Sequence, residues 1–194
     1  MFTSGQAGVD MRIIAGEAKG VRLRSVPGLQ VRPTTDRVKE SLFQIIGPYF
    51  DGGKALDLFA GSGSLGLEAL SRGAEEAIFV DRARASVDTV RYNLRSAGLD
   101  QRGKVFRRDA RAALRTLARQ RARFHLIFLD PPYQERILSP ILTAIAEQDL
   151  LETGGVMVAE HGKDRNLPLQ VHSLVRFRNL NYGDTVLDLY SRDS

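Results

Sequence analysis

A short strand-like run, Ala55 to Phe59, goes straight into Gly61-x-Gly63-x-x-Gly66, and a helical pattern of Leu65, Ala69 and Leu70 follows before Gly73. Strand, glycine turn and helix start in that order form a cradle. Glycine lets backbone approach a ligand with no Cβ in the way. The unpaired N–H groups of the first helical turn favour an anion or a carboxylate. A strand that turns into a helix returns to its sheet by a crossover, so this unit commits the chain to a parallel α/β sheet.

Taken as a pattern, the three glycines fit the dinucleotide fingerprint, and Asp81 stands ~20 residues past the first of them, where a ribose-binding acid belongs. A nicotinamide dinucleotide protein is therefore one reading. Asp57, inside the strand and just before the turn, argues for a different ligand. A carboxylate aimed into the cradle repels a pyrophosphate and pairs with a cation. A ligand with adenosine, a ribose diol and an amino-acid ammonium fits better, and S-adenosylmethionine is such a ligand. The plainer role for Asp57 is to bond the backbone of its own turn.

The alternation continues along the chain. Strands are expected at 77–80, 105–106, 126–129 and 156–159, and helices at 64–72, 85–97, 110–121 and 137–147. Repeated β-α units with short connections predict a mostly parallel, doubly wound sheet with helices on both faces. Val171–Phe177 and Thr185–Tyr190 flank Tyr182-Gly183-Asp184 and close the chain as a hairpin, which is antiparallel by necessity. Ahead of this domain (54–194), residues 11–53 form an extension. Arg12 to Ser25 reads as a β-hairpin turning at Lys19-Gly20, and Pro33-Thr-Thr-Asp36 starts a helix whose inward positions are Val38, Leu42, Ile45 and Tyr49. Residues 1–10 are small and polar without periodicity and are expected to be a disordered leader.

The 194 residues suit one α/β domain, and 43% hydrophobic with 26% charged residues is an ordinary globular composition. No apolar run reaches the ~20 residues that cross a bilayer, and a cytoplasmic monomer is expected. There is no cysteine, which removes disulfides, thiolate metal sites and a thiolate nucleophile together. The net charge of +5 comes chiefly from arginine, which suits a phosphate-backbone partner. Arg12, Lys19, Arg22, Arg24, Arg32 and Lys39 concentrate that charge in the extension and are the candidate RNA-gripping residues. They are equally accounted for as a solvated face. Arg111, Arg115 and Arg119 form a stripe on one helix face that is read as solvated.

In an open parallel sheet, ligands bind beyond the carboxyl ends of the strands. Asp57, Asp81, Asp109 and Asp130 all stand at such ends. Asp81 is placed for a ribose diol, and Asp109 with the Ala110 backbone for an adenine amino group; either can instead cap the next helix. Asp130-Pro131-Pro132-Tyr133 is the second specific signal. The prolines fix the backbone, so the Asp130 carboxylate and a neighbouring carbonyl converge as two acceptors for an exocyclic amine. Tyr133 offers a π-face to an extruded base, worth roughly 1–3 kcal/mol. His125, His161 and His172 lack metal spacing, and no metal is expected.

The glycine cradle with Asp-Pro-Pro-Tyr resembles the class I S-adenosylmethionine-dependent amino-methyltransferases of nucleic acids. MRIIAGEAKG, RPTTDRVKESLF, LDLFAGSGSLGLEALSRGA, LDPPY and YGDT, in that order, resemble the bacterial RsmD family from Met11 to about Tyr190. The resemblance implies a Rossmann-like fold with a seven-stranded sheet. It implies methylation of the N2 amine of one guanine in small-subunit ribosomal RNA, free or in an assembling subunit. It assigns S-adenosylmethionine binding to Asp57, Phe59, Gly61, Gly63, Asp81 and Asp109, and base holding to Asp130 through Tyr133. Arg82, which stands where many relatives have another residue, Ala110, and Thr35 and Arg37 beside the methionine moiety complete the expected donor-binding set. The rival activity is N6-adenine methylation, which uses the same tetrapeptide.

Overall fold

The computed structural model describes residues 10–28, 35–132 and 136–193. Residues 1–9, Arg32, Pro33 and Tyr133 lie outside the described residues, so the expectations for them are not addressed by the structure.

Strands β1 (Met11–Arg12) and β2 (Arg22–Leu23) pair antiparallel as the foreseen hairpin, but with only two residues each. The ladder is short because much of the connecting backbone bonds elsewhere. Helix α1 (Asp36–Ile46) begins where Thr35 Oγ1 accepts from the Val38 N–H, and its last turn closes on Gly47. Its buried face is Lys39, Leu42, Phe43 and Ile46, one step round from the expected one. Tyr49 is left 66% exposed.

The main domain runs β3 (Lys54–Asp57), α2 (Ser64–Ser71), β4 (Glu76–Asp81), α3 (Arg84–Ser96), β5 (Gly103–Arg107), α4 (Ala110–Arg119), β6 (Phe124–Leu129), α5 (Leu138–Glu147), β7 (Leu151–Gly162), β8 (Gln170–Val171), β9 (Leu174–Tyr182) and β10 (Thr185–Arg192). The sheet order is β5-β4-β3-β6-β7-β10-β9-β8. Strands β3 to β7 are parallel, while β10 enters antiparallel against β7 and β9. Among the described residues the sheet has eight strands rather than seven, because the two-residue β8 precedes β9.

Strand order reverses at β3. Crossovers first build outward through β4 to β5, then return to place β6 on β3's other side. The gap between the α2 and α5 connections therefore opens over the carboxyl ends of β3 and β6, the ligand position in such sheets. One apolar layer packs α1, α2, α3 and the hairpin on the sheet around Phe43, Leu70, Phe79 and Phe128. The other packs α4 and α5 around Leu114, Ile127, Ile141 and Tyr190. No helix among the described residues is long and apolar enough to cross a membrane.

Candidate active site at the carboxyl edge of the sheet

Pairing of Asp57 with Phe79 and Phe128 fixes which side chains share a face. With a period of two along each strand, Asp57, Asp81 and Asp130 all point to the α1–α3 side, where Ala55, Phe79 and Phe128 pack. Glu160 joins them, since β7 pairs Ala159 with Leu129 and its next residue stands beside Asp130. Four adjacent strands, β4, β3, β6 and β7, thus carry acids aimed at one space.

The glycine turn is built as its sequence requires. Gly61 (φ 55°) and Gly63 (φ 80°) are left-handed, and a Cβ at Gly61 would meet nothing within 4 Å, so the turn is open there. At Gly66 the need is different: a Cβ would lie 2.4 Å from Phe79, so the glycine lets α2 sit down on β4. The first turn of α2 has no side-chain cap. Asp57 Oδ2 accepts from the Gly66 N–H at 3.1 Å, so Asp57 does bond its own turn. Asp81 bridges two segments, accepting from Gly61 N–H at 3.0 Å and Ala83 N–H at 2.9 Å.

Electrostatics mark this cluster. Burial pushes the Asp57 carboxyl up to about 7; the Gly66 N–H works against that rise and the Asp81 charge adds to it. Burial also pushes the Asp130 carboxyl well above its usual range, reinforced by Glu160, which also shares a hydrogen bond with it, and by Asp57. Carboxyls held so are costly to ionise alone and gain most from a cation or a hydrogen-bond donor. A ligand carrying an ammonium, a sulfonium and an amine meets that demand, and the open Gly61 turn leaves room for its backbone contacts.

The other named residues each make local contacts of their own. Phe59 is half-buried against the α4–α5 core, and Ala110 is buried in it. Asp109 caps α4, accepting from Ala112 N–H at 3.1 Å. Arg82 is exposed beside Asp81, and its carbonyl accepts from Arg107 Nε. Thr35 is spent on its cap, and Arg37 is exposed on α1. Pro131 is buried and Pro132 exposed.

Lys39 requires a correction as a nucleic-acid contact. It is 1% exposed and its ammonium reaches Arg12 O at 2.6 Å, Ser64 Oγ at 3.1 Å and Glu68 Oε2 at 3.3 Å. Burial lowers its pKa, with Glu68 opposing that effect. Of the other cations in the extension, Arg12 pairs with Asp36 at 2.8 Å, and the Arg24 guanidinium lies 3.5 Å from the Tyr92 ring centre. Lys19 and Arg22 are exposed, with Arg22 3.9 Å from Asp10.

Three residues escaped the sequence reading. Fully buried Glu68 accepts from Ile14 and Ala15 N–H and from Arg72 Nε, tying the hairpin to α2. Only its i,i+4 spacing to Arg72 hinted at this. Fully buried Asn93 donates to Ser62 O at 2.9 Å and Arg24 O at 3.1 Å, pinning turn and hairpin to α3. Glu160 carried the same signal as the other acids, a carboxylate where an apolar strand runs out.

Fold and site together define a Rossmann-like domain of the class I methyltransferase type. The chain belongs to the family described as conserved hypothetical protein 95, the RsmD family, whose model matches residues 11–191. It is 50% identical to YlbH of Bacillus subtilis (strain 168), which has a provisional rRNA methyltransferase name, over 94% of this chain and 99% of that protein. Ribosomal RNA small subunit methyltransferase D of Haemophilus influenzae is 33% identical over 81% and 82% of the two chains. A solved hypothetical protein of Thermus thermophilus superposes with a TM-score of 0.80 at 33% identity, covering 93% of this chain and 99% of that one.

Proposed function

We propose that this chain methylates the N2 amine of a guanine in small-subunit ribosomal RNA, with S-adenosylmethionine as donor. The observation that carries the proposal is the convergence of Asp57, Asp130 and Glu160 beside the Gly61–Gly63 turn, in a chain whose relatives are named rRNA methyltransferases. When bound, S-adenosylmethionine supplies an electrophilic methyl on a sulfonium, whose departure as a neutral thioether makes the transfer favourable.

The chain's own work is mostly alignment. Asp57 and the glycine turn hold the amino-acid end of the donor, and Asp81 accepts from the ribose diol. Asp109 and Ala110 flank the adenine, with Phe59 and Arg82 at the rim and Thr35 and Arg37 on the methionine side. Asp130 accepts one hydrogen of the guanine amine. The Pro131-Pro132 backbone has no N–H to donate and offers only carbonyls, so a neighbouring carbonyl accepts the other. Two acceptors in that arrangement turn the nitrogen lone pair toward the methyl group. Tyr133 stacks the base, which must be flipped or single-stranded to arrive. After transfer the nitrogen sheds a proton to Asp130. Its raised pKa makes it a better acceptor than an ordinary carboxylate, and Glu160 is placed to share the proton.

The test is incubation of the chain with labelled S-adenosylmethionine and small ribosomal subunits from cells lacking the enzyme, followed by nucleoside mapping. Labelled N2-methylguanosine is the expected product. N6-methyladenosine would transfer the proposal to adenine. Tight NAD binding with none for S-adenosylhomocysteine would end it.

A further inference from the structure

Between Arg82 and Arg123 the sequence carries thirteen Lys and Arg against three Asp and Glu, a surplus of ten in a chain whose total is +5. Everything outside that window is therefore net acidic. The fold gathers the window into one flank made of α3, the edge strand β5 and α4. Alternation along β5 sends Val105 into the α1–α3 core and turns Lys104, Phe106 and Arg108 to the opposite face. Helix α4 lies over β4 and beside α5, leaving that face of β5 uncovered. The result is a solvent-open groove of about 700 Å³ between β5 and α4.

The groove's chemistry is that of a nucleic-acid site. Phe106, 44% exposed, and Leu117 give it an apolar floor, while Lys104, Arg108 and Arg121 stand along it. Arg108 is steadied by a 2.9 Å bond to Thr116 Oγ1. Lys104 pairs with Glu76 at 3.1 Å, an exposed contact that is readily exchanged for a phosphate. Glu75 and Glu152 also line the groove, and Glu76 stands in it as the partner of Lys104. By contrast, several cations of the N-terminal extension are already engaged with Asp36, Tyr92 and Glu68.

We propose that this groove docks a single-stranded stretch of the substrate ribosomal RNA, with phosphates on Lys104, Arg108 and Arg121 and a base stacked on Phe106. The proposal rests on the rRNA methyltransferase reading and adds a second contact surface, on the sheet face opposite the acid cluster. Such a surface combines a backbone-tracking positive groove with an aromatic platform.

The test is filter binding of the full chain to an unmodified small-subunit rRNA transcript across a salt series. Lys104→Gln with Arg121→Gln is expected to raise Kd and to flatten log K against log salt by roughly 0.7 per lost contact. Phe106→Ala is expected to weaken binding roughly fivefold or more with the slope unchanged, since stacking releases no counterions. All variants are expected to bind S-adenosylhomocysteine as the wild type does, which checks their fold. Should the double variant misfold, Arg121→Gly removes a charge at a residue already in left-handed backbone (φ 53°). Wild-type affinity and slope in the folded variants overturn the proposal. So does a loss confined to Lys19→Gln with Arg22→Gln, which would assign the RNA to the hairpin. Weakening seen only with protein-containing subunits would make the occupant a protein. A wild-type chain that binds S-adenosylhomocysteine but no rRNA would remove the RNA substrate itself, and the groove with it.

Discussion

Replacing Asp57 with asparagine should stabilise the fold at alkaline pH and leave it nearly unchanged near pH 4. Asp57 is 3% exposed and accepts one bond, from Gly66 N–H. Burial first, then the Asp81 charge, raise its carboxyl from 3.8 to about 7 against the pull of that N–H. The folded state thus holds the proton more tightly than the unfolded chain does. Stability is greatest below the unfolded value of 3.8, falls as pH rises toward about 7, and levels off above it. At about 1.4 kcal/mol per pH unit, that interval makes the burden of ionised Asp57 on the order of 4 kcal/mol. Asparagine keeps an acceptor for Gly66 and removes the charge. Urea unfolding of both proteins from about pH 4 to about pH 8.5 measures the difference. The two curves should start together and separate by a few kcal/mol as the wild type loses stability. Asp130 contributes a slope of its own to both, and because the Asp57 charge helps raise that carboxyl, the difference between the curves reports Asp57 together with this coupling. Parallel curves, or an asparagine variant that is weaker at every pH, would refute the electrostatic account. The same substitution should weaken S-adenosylhomocysteine binding, because the charge that burdens the fold is the one offered to the ligand's ammonium.

Other outcomes follow from the same geometry. Asp130→Asn should lower kcat by roughly a hundredfold or more while leaving S-adenosylhomocysteine affinity within a few-fold, because the amide cannot take the departing proton; calorimetry beside a single-turnover assay separates the two. Glu68→Ala should cost about 3–5 kcal/mol in urea unfolding, since it strands the Lys39 and Arg72 charges in the interior. Gly66→Ala should cost about 1–3 kcal/mol, because its methyl meets Phe79 at 2.4 Å; an unchanged melting temperature would show that α2 has slack.

Much of the fold is legible in the chain because period and punctuation agree. Gly61, Gly63 and Gly66 mark one strand-to-helix turn, and acids mark where strands stop. Asp57, Asp81 and Asp130 are found this way because the pleat fixes their faces once the strands are placed. Contacts between distant segments are not legible. Lys39 reads as a surface residue, since nothing local announces that Glu68, far along the chain, waits to pair with it. The hairpin ladder reads too long for the same reason: the N–H groups of Ile14 and Ala15 go to Glu68 instead of across the strands. The stripe of Arg111, Arg115 and Arg119 is exposed as expected. Its neighbourhood with the edge strand emerges only once α4 is folded back over the sheet.

Glu68 has one more implication. The hairpin, α1 and the helix behind the glycine turn meet at a buried ionic knot, where losing one partner strands the charge of another. The hairpin and the glycine turn are thus tied to the same two helices, so the proposed RNA-holding cations and the proposed donor cradle keep a fixed relative position.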